Sequence, residues 1–227
     1  MLDIFLPKIQ RWLTLLFFKH VIATSPISRK FGIDRGLPID RFFIEHFLAG
    51  HSRCIKGRVL EVGSSYYSRK FGGPELTQSE VLNPCKEDPK TTIVGDLVTG
   101  QGIPVEFFDC IVLTQTLHVL PDFQGALKTC WKSLKPNGML LATFPGISQI
   151  SRYDMDRWGD FWRFTSASVN LVIARVFPND NTHMMVFGNA KIACGFLLGL
   201  CASDLTRKEL FIKDPDYELL IAISARK

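Results

Sequence analysis

A chain of 227 residues, 46% apolar and 22% charged, suits one domain with its own buried core and is too hydrophobic to be disordered. Its net charge of +5 is scattered rather than gathered into a basic stripe, which argues against nucleic acid as a partner. The cysteines at 54, 85, 110, 130, 194 and 201 form no C-x-x-C pair and no zinc-spaced cluster, so no metal is expected. Cys110 and Cys130 fall in apolar runs and read as small buried hydrophobes of a reducing, cytoplasmic compartment.

Residues 1–25 open the chain with an apolar run, Trp12 to Phe18, that Lys19 and His20 interrupt and that is too short to span a bilayer. Lys8 and Arg11 ahead of it, with Val21-Ile22-Ala23 behind it, imitate a signal peptide. The preferred reading is an amphipathic helix. Phe5, Ile9, Trp12, Leu13, Leu16 and Phe17 recur at helical spacing, and their face is expected to pack on the domain. Peripheral contact with a membrane surface through residues 1–25 is the alternative. Residues 26–40, with two prolines and two glycines, read as a loop, and Asp40 to His51 as a second amphipathic helix carrying Phe42, Phe43, Phe47 and Leu48. Residues 1–56 are thus expected to be a helical extension packing on a core formed by residues 57–227.

From Gly57 strands and helices alternate, which predicts βαβ units and a parallel sheet. Arg58 to Val62, Thr91 to Val94, Phe108 to Thr114 and Met139 to Phe144 read as strands. Phe123, Ala126, Leu127, Cys130, Trp131 and Leu134 mark one face of a helix that Asp122 caps and Pro136-Asn137-Gly138 stops. Further on, Ser166 to Phe177 and Ala190 to Cys201 look helical. Thr182 to Phe187 and Tyr217 to Ser224 look like strands, which fits an antiparallel edge on a parallel sheet.

Ligands of open parallel sheets bind beyond the carboxyl ends of the strands. Val59-Leu60-Glu61-Val62-Gly63 supplies a buried strand, an acid and a glycine that lets the backbone turn tightly against a ligand. Glu80, nineteen positions after Glu61, is placed to grip a ribose diol near the end of a second strand, and Asn83 competes for that role. Asp96, at the end of the next strand, could accept from an adenine amino group. Each acid alone is commonly a solvated strand-end residue; three at successive strand ends point to a nucleoside.

These segments resemble the core of the class I S-adenosylmethionine-dependent methyltransferases over residues 57–145. Val59 to Gly63 resembles the first motif, Gly95-Asp96-Leu97 the adenine-contacting segment, Phe108 to Thr114 with Leu117, Pro121 and Asp122 the fourth-strand motif, and Leu134 to Gly138 the turn before the fifth strand. The chain also resembles the methyltransferases encoded among glycosyltransferase and polysaccharide genes, through Gly57 to Gly73, Thr114 to Leu120 and Pro145 to Thr165. The resemblance implies an α/β fold with a Rossmann-like, seven-stranded, mostly parallel sheet, helices on both faces and an antiparallel last strand. It implies S-adenosylmethionine as cofactor, held by Glu61, Gly63, Ser64, Glu80, Asp96, Leu97 and Thr114, and a small-molecule or sugar-like glycan acceptor that is O-methylated. Two departures stand out. Ser65 and Tyr67 occupy positions where the first motif has glycines, so their side chains must point away from the cofactor or the turn must differ. Val119 stands where many relatives have a histidine, so His118 does not inherit that residue's role.

Residues 145–165 follow the fifth strand and concentrate Arg152, Tyr153, Asp156, Trp158, Trp162 and Arg163, side chains able to stack on sugar rings and grip hydroxyls. They are the candidate acceptor pocket; the competing reading is a lid stapled by its own Asp–Arg pairs, with the tryptophans as packing. Transfer to oxygen gains from a general base, for which His118 and then Asp154 are the candidates. A nicotinamide oxidoreductase would need G-x-G-x-x-G, which Gly63 to Ser68 does not supply. A non-enzymatic domain that keeps the fold, an accessory protein of glycan biosynthesis, is the other rival, and the missing glycines favour it.

Overall fold

The protein is described from a computed structural model covering residues 2–20 and 23–227. Seven strands form one sheet: β1 (Gly57–Val62), β2 (Leu76–Asn83), β3 (Ile93–Val94), β4 (Phe108–Thr114), β5 (Leu134–Pro145), β6 (Thr182–Phe187) and β7 (Leu220–Arg226). Their order is β3-β2-β1-β4-β5-β7-β6. Strands β1 to β5 pair in parallel, and β7 runs antiparallel to both β5 and β6. This is the Rossmann-like arrangement expected from the resemblance, with a single reversed strand.

Period-two alternation divides the sheet's side chains between two layers. Leu60, Ile111, Leu113 and Ile223 face one core, closed by α4 (Phe123–Ser133) and α6 (Ser166–Ile173). Val59, Cys110, Val112 and Ala222 face the other, closed by α2 (Ile39–Gly50), α7 (Ala190–Leu198) and α8 (Arg207–Phe211). Phe43 of α2 is fully buried and stacks on Phe187 of β6 at 4.8 Å between ring centres. Residues before Gly57 therefore complete the core layer.

The first helix, α1 (Leu2–His20), behaves differently. Packing of its apolar face on the domain was expected, yet Ile9, Trp12, Leu13, Leu15 and Phe17 are all exposed, Trp12 by 60%. The side chains of Phe5 and Lys8, and the Val21-Ile22 of the imitated cleavage site, lie outside the described residues. Among the described residues no helix is long and apolar enough to cross a membrane.

Several boundaries shift. The strand read from Thr91 shrinks to Ile93–Val94. Pro136-Asn137-Gly138, expected as the stop after a helix, is drawn into β5; α4 ends earlier, at Ser133. Backbone bonds to Lys227 on both sides of this turn hold it beside the end of the chain, and Asn137 takes the left-handed backbone the turn needs. Among the described cysteines, Cys110, Cys130 and Cys201 are buried and all six are free thiols; burial pushes the Cys130 thiol up to about 12, against a small opposing pull from a backbone hydrogen bond.

Candidate active site

The chain runs β1 to β2 to β3 on one side of the sheet, then returns to place β4 on the other side of β1. The strand order reverses there, and open sheets of this kind hold their ligands in a crevice beyond the carboxyl ends of the strands at such a point. Gly63 closes β1 with φ of +79°, and a Cβ built there would meet nothing within 4 Å. Its backbone is thus open to a ligand.

Glu61 does not face that opening. Its carboxylate accepts the amide hydrogens of Tyr67 (3.1 Å) and Ser68 (2.8 Å) and the Ser68 hydroxyl (2.8 Å), capping the short helix α3 (Tyr66–Phe71). Burial pushes its carboxyl upward, and these three donors pull it partly back. The missing glycines are explained here. The helix begins at once after Ser65, and Tyr67 turns away from the crevice into the core beneath α2, where its hydroxyl accepts from Arg41 at 3.1 Å.

The second strand corrects one expectation. Glu80 sits in mid-strand opposite Leu60, is 6% exposed, and faces Arg58 at 3.9 Å. It is not at the ligand end. Asn83 is: it ends β2, and its amide donates to the Thr91 hydroxyl at 2.8 Å, which leaves the carbonyl oxygen to accept elsewhere. Asp96 is exposed and folds its own turn, accepting from the Val98 amide (2.7 Å) and the Thr99 hydroxyl (3.0 Å). Leu97 beside it is buried and Ser64 is exposed. Thr114 ends β4 opposite Thr143.

Beyond β4 lies a cleft of about 650 Å³. Its floor holds Gln115 and His118, one wall is the loop before α2 together with Asp40 and Arg41 of that helix's first turn, and the other is drawn from residues 145–163. Gln115 has a left-handed backbone (φ 46°), and its amide donates to the Thr143 hydroxyl at 3.2 Å. That conformation is costly for a non-glycine residue and marks sites that hold strain for a use. Two polar atoms of the floor, Gln115 Oε1 and His118 Nδ1, are buried without a hydrogen-bond partner among the described residues. Burial lowers the His118 pKa to about 4, against the opposing pull of the Asp160 and Asp154 charges, so the imidazole is neutral near pH 7. Asp40 also lines the cleft; burial pushes its carboxyl upward, and Arg41 draws it partly back.

Residues 145–165 divide between the two expectations. Arg163 and Asp160 form a bidentate pair (2.8 Å for Nη2 to Oδ2), Asp160 accepts the Ser151 amide at 2.9 Å, and Arg163 donates to the Gln149 carbonyl at 2.6 Å. Trp162 donates to the Leu120 carbonyl at 3.0 Å and packs edge-on against Phe123. The backbone amides of Phe161 and Trp162 donate to the His118 carbonyl, which ties this segment to the floor. Arg152, Tyr153 and Asp154 line the cleft together with Arg163, whereas Asp156, Trp158 and Trp162 lie outside it. Trp158 stands exposed against Tyr153, which Arg157 covers from its own helical turn. Asp40, Arg41 and Gln115 escaped the sequence reading. A polar pair opening an apolar helix looks like an ordinary first turn, and nothing local marks Gln115.

Residues 59–142 match the family described as a methyltransferase domain. A curated protein of Dictyostelium discoideum, the probable polyketide synthase 10, is 29% identical over 89 residues, which cover 39% of this chain and 4% of that one. The chain therefore spans a small fraction of that relative's length. Among solved structures, an S-adenosylmethionine-dependent methyltransferase of Mesorhizobium loti is 17% identical with a TM-score of 0.55, covering 86% of this chain and 100% of that one. A counterpart from Archaeoglobus fulgidus is 14% identical with a TM-score of 0.53, over 82% and 94% of the two chains. The N-methyltransferase NodS of Bradyrhizobium japonicum, solved with S-adenosyl-L-homocysteine, is 15% identical with a TM-score of 0.52, over 88% and 93%. At these identities the shared property is the fold.

Proposed function

We propose that this chain, which carries a class I S-adenosylmethionine-dependent methyltransferase domain, transfers a methyl group to a hydroxyl of a small, sugar-like acceptor held in the cleft beyond β4. The observation that carries the reading is the pair of buried atoms without a partner among the described residues, Gln115 Oε1 and His118 Nδ1, in a cleft at the same carboxyl edge of the sheet as the open backbone of Gly63. Buried polar atoms are costly when unpaired, so a floor left in this state fits a ligand that pairs with it.

The crevice residues fit the cofactor. Gly63 and Ser64 would admit its amino-acid end, Asn83 rather than Glu80 would accept from the ribose hydroxyls, and Asp96 with buried Leu97 would border the base; Thr114 closes the far side. When bound, the cofactor supplies an electrophilic methyl on a sulfonium, and the protein's task is orientation. The neutral imidazole of His118 accepts from the acceptor hydroxyl and aims its oxygen. Asp154, whose charge favours a proton on His118, steadies the imidazole as that proton arrives. Gln115 Oε1 accepts from a neighbouring hydroxyl, which favours a polyol. Peripheral membrane contact through α1 belongs to the same proposal: Trp12, Leu13 and Phe17 are exposed and Arg11 and Lys19 flank them. Flotation with anionic vesicles, with and without residues 1–25, tests that part.

Titration of S-adenosylhomocysteine by calorimetry tests the cofactor site. Micromolar binding is expected. Gly63→Val, which forces a branched side chain into left-handed backbone and the open crevice, should abolish it, while Glu80→Gln should leave it intact. A folded protein with no binding would replace this reading with the non-enzymatic domain that Ser65 and Tyr67 favour.

A further inference from the structure

The charges around the cleft are unevenly spent. Arg163 is neutralised by Asp160, and Arg41 lies beside Asp40. Arg29, Lys30 and Arg152 also line the cleft, and among the described residues none of their side chains has an ion-pair or hydrogen-bond partner. They come from two segments, the loop before α2 and the short helix α5 (Arg152–Met155), whose walls are joined where the Gln149 amide donates to the Arg29 carbonyl at 3.0 Å. Against these three cations stand Asp154, the one acid of the lining whose side chain has no partner among the described residues, and Asp34, outside the lining, whose charge reaches Lys30. The floor below them is neutral, with Gln115 and His118 uncharged.

We propose that this cleft takes an acceptor carrying a phosphate group, read by Arg29, Lys30 and Arg152 at the rim while its hydroxyls meet Gln115 and His118 on the floor. This rests on the methyltransferase reading for the word acceptor, but not for the anion site itself. A cation at a cleft mouth without an internal partner pays no desolvation until a ligand covers it, and guanidinium matches phosphate oxygens two at a time. An uncharged glycan would leave the three rim cations unused. A phosphate divides the labour, with charge at the rim fixing the register and neutral atoms at the floor selecting the hydroxyl beside the crevice.

The test uses the full chain. Glucose 1-phosphate and, separately, methyl glucoside are titrated into it with and without S-adenosylhomocysteine, beside the triple variant Arg29→Ala, Lys30→Ala, Arg152→Ala. A control variant, Lys128→Ala with Arg175→Ala, removes exposed cations remote from the cleft. The expected result is binding of the phosphate but not the glucoside, weakened about tenfold or more in the triple variant, unchanged in the control, and eroded by salt. A second arm replaces the sugar phosphate with phosphatidylglycerol vesicles; retention that only the triple variant loses assigns the phosphate to a lipid headgroup rather than a soluble molecule. Loss of equal size in the control variant, or binding indifferent to the triple substitution, or no binding in either arm, overturns the proposal. Phosphate binding by a protein that does not bind S-adenosylhomocysteine would sink the methyltransferase reading and leave the anion site standing.

Discussion

The turn after β1 and the cleft after β4 sit at the same edge of the sheet and treat their polar groups in opposite ways. Behind Gly63, Glu61 receives three hydrogen bonds from α3 and is turned inward. Behind Thr114, Gln115 and His118 each keep a buried atom without a partner among the described residues, one of them on left-handed backbone. The first arrangement is what stability selects. The second costs stability and is retained where a ligand completes it. On the proposed function, the difference separates an acid that shapes the turn from side chains that meet what binds.

Substitutions should expose this difference as opposite changes in stability and activity. The largest expected effect is at Glu61. Its replacement by alanine strands the amides of Tyr67 and Ser68 at a 3% exposed position, while the Ser68 hydroxyl keeps Ser65 and Ser79 as partners, and urea unfolding should show a loss of about 3 kcal/mol. Wild-type stability in the fully folded turn despite that loss of partners would dissolve the contrast.

The next effect is in pH. His118 takes up its proton at 6.5 when unfolded and at about 4 when folded, so the unfolded state binds the proton first. The contribution is fully present above pH 6.5 and is lost as pH falls toward 4, the loss reaching about 3 kcal/mol at the bottom of that window. Unfolding of His118→Gln should show a shallower acid limb. The same depression predicts a rate profile with no His118 inflection between pH 5 and 8; an inflection near 6.5 that His118→Gln removes would mean the ring is solvated in the working enzyme.

Asp122→Ala removes the cap of α4, which accepts from Gly125 at 2.9 Å, and should cost about 1 kcal/mol without changing cofactor affinity. The smallest change is the most telling. Gln115→Gly relieves the left-handed backbone but gives up the side-chain hydrogen bond to Asp40, so the two effects oppose and thermal denaturation should show a change below about 1 kcal/mol. Methyl transfer should fall nonetheless, because the floor has lost its acceptor.

Much of the frame was legible before the structure. Val59 to Val62 and Phe108 to Thr114 are unbroken apolar runs, and Asp122 precedes a helix with one apolar face; such local patterns survive into the fold because they are buried on the faces they advertise. The resemblance singled out Gly63, which closes β1 on left-handed backbone with open space beside it. Glu80 misled because a spacing of nineteen residues counts positions and not strand length: β2 continues past it to Asn83. The first of the two amphipathic helices misled in a similar way. Both show helical periodicity, yet α2 lies in the core and the described apolar side chains of α1 are largely exposed. Periodicity states that a face exists and says nothing of what covers it.

The sequence by itself determined the class of fold, the order of its buried strands and the turn that opens the crevice, since each depends on neighbours a few residues apart. Only the tertiary structure decided which polar residues are spent. Arg163 is paired, Arg152 has no partner among the described residues, Trp162 is packing, and Asp40, about a hundred residues upstream of the pocket segment, forms part of its wall. A side chain's availability depends on every group that reaches it through space, and those groups come here from segments far apart in the chain.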